Sequence, residues 1–254
     1  PGNDSALAAA HGQGGKVPMP VIHGLENGGP HSQDWSSIFN HIPGLKVIYP
    51  VTPYDAKGLL NSALSGTDPV ICLESQQCYK HGEMFHKGGV PAEYYELPIG
   101  EPDVKKQGKD LTIVTLGPIL YKALDAAKEL EKYGIDAEVI DLRSINPLNY
   151  DKLVESVKKT GKAIMLNEAV ERGNVMQNVA ANLTQLAFDY LDAPITVVGS
   201  RNWVSPAAEL ESKFFPQVSW ILDTIHERIV PLKGYTPSIN RTLGELARTS
   251  RQGV

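Results

Sequence analysis

Between residues 28 and 69 the chain reads GGPHSQDWSSIFNHIPGLKVIYPVTPYDAKGLLNSALSGTDP, and this stretch restricts the fold more than any other. Trp35, Ile38, Phe39 and Ile42 recur at i, i+3, i+4 and i+7, one apolar stripe on a short helix that Pro43 and Gly44 stop. Residues 45–49, LKVIY, are apolar and β-branched, as a buried strand requires. Thr52 then caps a second helix, with Pro53 pre-set at its first position and Asp55 completing a capping box. Ala56, Leu59, Leu60 and Ala63 form its sheet-facing side, Gly66 ends it, and Val70 to Leu73 open another buried strand. Helix and strand signals in alternation predict an α/β chain.

The pattern repeats downstream. Residues 111–116 read as a strand; Leu120, Ala123, Leu124, Ala127 and Leu130 line one face of a helix closed by Gly134; residues 137–141 are the next strand. Tyr150, Leu153, Val154 and Val157 make a further helical stripe, with Lys158 and Lys159 near its negative end. A strand at 163–166, a helix around 179–190 and a strand at 195–199 complete a β-α series whose parallel connections should be right-handed. The proline-, glycine- and charge-rich residues 98–109 read as a connector, so two doubly wound sheets are expected, in domains 1–103 and 104–254. Residues 17–22, apolar with two prolines, read as an edge-like strand, and residues 76–96 as a solvated loop whose histidines are not spaced for zinc. Residues 1–16 and 236–254 offer little to pack.

A net charge of −5 without a basic block excludes nucleic acid and anionic membranes as natural partners. No apolar run reaches the length of a membrane span. Two cysteines, Cys72 and Cys78, give neither a disulfide framework nor metal spacing and fit a reducing, cytoplasmic compartment.

His31 lies between a glycine-rich loop and a helix start, where an imidazole could exchange protons near neutral pH. On residue type alone, a capping or surface histidine is the commoner role. Glu168 and Arg143 could carry chemistry, but a structural ion pair or a surface role is the commoner reading of such residues. The aromatic residues Trp203, Phe214, Phe215 and Trp220 read as a terminal helix packed on its own domain, with a subunit interface as the alternative.

HSQ, HIPGLKV, P-x-T-P-Y-D-A-K-G-L-L, DPV, GIDAEVIDLRSINPL, SVKKTGKAIMLNEA and FDYLDAPITVV occur in this order. Together they resemble the β subunit of the thiamine diphosphate-dependent 2-oxo acid dehydrogenase E1 components, which act on pyruvate, branched-chain 2-oxo acids or acetoin. The resemblance implies a thiamine pyrimidine-binding-type domain lacking its N-terminal part, followed by a transketolase C-terminal-type assembly domain. It assigns His31 to proton handling in the active-site funnel during acyl transfer to lipoamide. It also places a structural K+ on the backbone carbonyls of Ala63, Leu64, Gly66 and Asp68, with Pro20 on the facing strand as a further candidate. Thiamine diphosphate with Mg2+ would be gripped largely by an α-type partner, because the Gly-Asp-Gly segment that holds it is absent from this chain. The implied assembly is an α2β2 heterotetramer that meets the lipoyl and subunit-binding domains of an E2 acyltransferase. It would be cytoplasmic, or in the mitochondrial matrix in a eukaryote. Two rivals remain: a split transketolase-like transferase subunit and a non-catalytic assembly subunit.

Overall fold

The computed structural model describes residues 20–25 and 33–238 of the 254-residue chain. They fall into two compact units, one drawn from the chain up to Asp103 together with Leu142–Asn149, the other from Val104–Asp141 and from Tyr150 onward. Leu142–Asn149, which the sequence groups with the second unit, therefore packs with the first.

The first unit holds a four-stranded sheet in the order β1-β3-β2-β7, built from β1 (Pro20–Leu25), β2 (Lys46–Ile48), β3 (Val70–Ser75) and β7 (Ser144–Asn146). β1 and β2 both run parallel to β3, and β7 runs antiparallel to β2. β1 stands at one edge of this sheet, as the proline-bearing stretch 17–22 suggested. Helix α1 (Ser36–Asn40) is shorter than its apolar stripe, and Ile38 on that stripe is 51% exposed. Helix α2 (Pro53–Ser65) starts at Thr52, whose hydroxyl accepts the Asp55 N–H at 3.1 Å and donates to the Asp55 carboxylate at 2.9 Å. Leu59 and Ala63 of α2 pack on Ile48, Val70 and Cys72, the core on this side of the sheet. Full burial of a side chain such as Leu59 contributes about 1.5–3 kcal/mol.

The second unit holds the sheet β4-β6-β5-β8-β9, with β4 at Asp103–Lys106, β5 at Leu111–Leu116, β6 at Ala137–Asp141, β8 at Ala163–Val170 and β9 at Thr196–Ser200. β4 lies inside the stretch expected to be a connector. It is short and wholly half-buried, so no apolar run announces it. β5 pairs in parallel with β6 on one side and β8 on the other, and β8 with β9. Every residue of β5 and β6 is buried, as strands covered on both faces must be. Helix α3 (Ile119–Glu131) carries the chain from β5 out to β6, and α4 (Asp151–Thr160) brings it back past β5 to β8. Right-handed crossovers in opposite directions set these helices on opposite faces. α5 (Val175–Ala187) packs with α4, and α7 (Val218–Arg228), which follows the single turn α6 (Glu211–Phe214), packs with α3. Gly161 ends α4 in the left-handed conformation, φ 68°, where a Cβ would be strained. Trp220, Ile221 and Ile225 bury α7 against its own unit, so the simpler reading of the terminal aromatics holds for them, while Trp203 on the preceding loop is 42% exposed.

Candidate active-site edge

Because β1, β3 and β2 are parallel, their C-terminal ends share one edge of the first sheet, the edge at which open α/β sheets bind ligands. β1 ends at Leu25, six residues before His31 in the sequence. β2 leads through buried Tyr49 and Val51 into the Thr52 cap. β3 ends at Ser75, whose hydroxyl accepts the Gln77 N–H and starts a 3-10 turn over Gln76–Lys80. Between the segments that follow β2 and β3 lies a cavity of about 150 Å³, its polar lining supplied by Thr52, Glu74, Ser75, Cys78, Tyr79 and His81. The Tyr79 phenol is pushed up by desolvation and by the charge and hydrogen bond of the neighbouring Glu74. The sequence did not single out Cys78 or Ser75; the available signal was their position just after a buried strand.

His31 lies outside the described residues, as do Ser32 and most of the glycine-rich loop before it. His41, at the end of α1, is exposed. Ala63 is buried in the last turn of α2, Leu64 is 65% exposed, and Gly66 is the C-cap in an extended conformation. Asp68 follows on the same turn and pairs through its carboxylate with Lys46 at 2.9 Å. Pro20 stands opposite Val70 in the β1–β3 ladder, beside this turn. The last carbonyls of a helix have no partner within it, so the turn presents oxygen ligands of the kind a monovalent cation takes.

Magnesium and diphosphate fit less well. Among the described residues no group of three or more His, Cys, Asp or Glu side chains could hold a metal ion. The N–H groups of Tyr54 and Asp55 at the start of α2 are already taken by the Glu83 carboxylate and the Thr52 hydroxyl. Those two donors are therefore not open to a diphosphate.

Arg143 and Glu168 are both in ion pairs. The Arg143 guanidinium lies 3.1 Å from Asp55 and 2.8 Å from Asp103, and Glu168 lies 3.8 Å from Lys122. His86 stacks on Tyr54, with ring centroids 4.2 Å apart. A larger groove, about 640 Å³, runs between α5 and β9 in the second unit, but Arg228 is the one ionisable group in its lining.

Residues 4–81 match the family profile described as transketolase, pyrimidine binding domain, and residues 100–221 that of transketolase, C-terminal domain. The pyruvate dehydrogenase E1 component subunit beta of Bacillus subtilis is 40% identical over 208 residues, covering 82% of this chain and 63% of its own length. The 2-oxoisovalerate dehydrogenase subunit beta of the same organism is 42% identical over 200 residues, 78% of this chain and 60% of its own. The acetoin:2,6-dichlorophenolindophenol oxidoreductase subunit beta of Cupriavidus necator is 40% identical over 215 residues, 82% of this chain and 62% of its own. Among solved structures, one titled split gene transketolase, inactive beta4 tetramer, superposes with a TM-score of 0.58 at 27% identity, over 76% of this chain and 60% of that one. The chain thus spans less than two thirds of the length of each of these relatives. By these matches it belongs to the transketolase-like family that contains the β subunits of the pyruvate, 2-oxoisovalerate and acetoin enzymes.

Proposed function

We propose that this chain acts as the β subunit of a thiamine diphosphate-dependent E1 component. The enzyme would oxidatively decarboxylate pyruvate or a branched-chain 2-oxo acid, or cleave acetoin, and pass the acyl group to lipoamide on E2. The observation that carries this reading is about 40% identity to three such β subunits across both domains. The C-terminal edge of the parallel strands supports it further, because it carries a cavity with a polar lining, and β1, one of those strands, ends six residues before His31 in the sequence. In this reading the chain contributes His31 and one wall of the funnel. An α-type subunit contributes the magnesium–diphosphate grip, in an α2β2 heterotetramer located in the cytoplasm, or in the mitochondrial matrix of a eukaryote. His31 handles the proton exchanged when the acyl group moves to lipoamide, and the E2 lipoyl and subunit-binding domains are the partners it meets. Potassium is held by the carbonyls of Ala63, Leu64, Gly66 and Asp68, with Pro20 alongside. The domains are taken as 1–103 and 104–254, with the Leu142–Asn149 excursion noted above.

A split transketolase is the second reading, favoured by the likeness to the split-gene transketolase structure. Substrate consumption separates the two. Combined with an α-type subunit and thiamine diphosphate, the chain is expected to support turnover of a 2-oxo acid or acetoin, and no ketose phosphate. Ketose phosphate transfer would favour the second reading, and partner turnover independent of this chain would leave it a non-catalytic assembly subunit.

A further inference from the structure

Arg143 belongs by sequence to the second β-α series, yet its ion pairs with Asp55 and Asp103 lie in the first unit, and two of its described contacts lead to one wall of the cavity. Its backbone adopts φ 59°, a left-handed conformation uncommon outside glycine. That turn presents its carbonyl to the Tyr49 N–H at 2.7 Å, two residues before the Val51–Thr52 segment that lines the cavity. Its side chain reaches the same segment by a second route. Nε lies 3.1 Å from Asp55 Oδ1, and Asp55 Oδ2 accepts the hydroxyl of Thr52 at 2.9 Å. Asp55 is fully buried and the Arg143 side chain is 9% exposed, so water does not screen the pair as it would a surface one. Nη2 lies 2.8 Å from Asp103 Oδ2, which holds the far end of the guanidinium. Both routes end on residues 49–55, and no other charged pair described in the first unit reaches that wall.

We propose that Arg143 is a positioning residue, which acts through Asp55 and Thr52 to hold the wall of the cavity at the C-terminal edge of the first sheet. The inference goes beyond the proposed activity, because it concerns the shape of the cavity and not its substrate. It accounts for an arginine in a strained conformation at this point: the carbonyl and the guanidinium each need their own direction.

The two cysteines provide the test. Cys78 lines the cavity, while Cys72 is 1% exposed in the core and reports general loosening. The full chain is labelled with a small aromatic disulfide at pH 8, and the site of labelling is read by mass spectrometry. In Arg143→Met, Cys78 is expected to react at least fivefold faster while Cys72 stays silent. Arg143→Lys should recover part of the protection, since it keeps the charge but cannot fork between two carboxylates. Asn146→Ala is the control on the same arm, because its side chain donates to Leu45 O and not to residues 49–55; its Cys78 rate should stay within twofold of the parent. Should Arg143→Met fail to fold, Asp103→Asn and Arg143→Lys carry the test, each with a two- to fivefold rise at Cys78. An unchanged Cys78 rate would overturn the proposal. So would labelling of Cys72 in step with Cys78, or a rise in Asn146→Ala equal to that in Arg143→Met. Because a thiol is read and not turnover, the result stands apart from whether 2-oxo acids are the substrates.

Discussion

Gly58 lies directly beneath Leu97: a Cβ placed on Gly58 would stand 2.5 Å from Leu97 Cγ and 2.8 Å from the Tyr95 ring. The Leu97 N–H donates to Gly58 O at 3.1 Å, so residues 91–97, a strap that runs across α2, cannot lift away here without losing that bond. In an open helix, Gly→Ala would gain about 1 kcal/mol. Here overpacking of about 1–3 kcal/mol opposes it. Gly58→Ala is therefore expected to lower the unfolding free energy measured by urea denaturation, and a gain in stability would contradict the crossing.

Lys57, one residue earlier, gathers the same strap. Its ammonium donates to the carbonyls of Pro91, Ala92 and Glu93, while Asn61 and Ser62 donate to those of Tyr95 and Leu97. Lys57→Met keeps the stem and removes the donors. Limited trypsin digestion should then cut after Lys87 several-fold faster, with the second unit untouched. Equal cleavage rates would show that the strap is held by other contacts.

Cys72 makes stability fall at alkaline pH. Burial, and next the charge of Glu74, push its thiol up to about 12. In the unfolded chain the thiol returns to about 8.5. Between these values the unfolded state has released the proton and the folded state has not. Stability is thus full below the unfolded value and falls by about 1.4 kcal/mol per pH unit as pH rises toward 12. Urea midpoints of the parent and Cys72→Ala, compared from pH 8 to 10.5, should diverge in slope by about one proton. Parallel slopes would mean that the thiol is not held neutral.

Potassium at the α2 turn would bind only the folded chain and stabilise it by mass action. Melting in potassium chloride is expected to exceed melting in tetramethylammonium chloride of equal ionic strength by a few degrees. Because backbone oxygens are the ligands, Asp68→Ala should keep most of the difference. Identical melting in the two salts would remove the ion from the account.

The elements most legible in the sequence are those that local chemistry determines. The Thr52–Pro53–Asp55 start of α2, the all-apolar β5, and the amphipathic α3 each announce themselves within a dozen residues. What escaped depends on partners far along the chain. β7 is three residues long and becomes a strand only because Val47 and Ile48 meet it about a hundred positions away. β4 carries no apolar run, and the stripe of α1 ends with Ile38 exposed. The resemblance named His31, which lies outside the described residues, while Cys78 and Ser75 became visible as cavity lining only once the fold of the first sheet was known. Arg143 shows the same limit: its ion-pair role was readable, while its partners, Asp55 and Asp103, were not.

In the proposed function a second polypeptide completes the catalytic edge, and acylation of a lipoyl domain measures this most directly. With an α-type subunit, thiamine diphosphate, Mg2+ and a 2-oxo acid, acylation should require this chain. His31→Ala should lower it at least a hundredfold while the two subunits still co-elute. Acylation that proceeds at the same rate with His31→Ala, or without the chain at all, would contradict it.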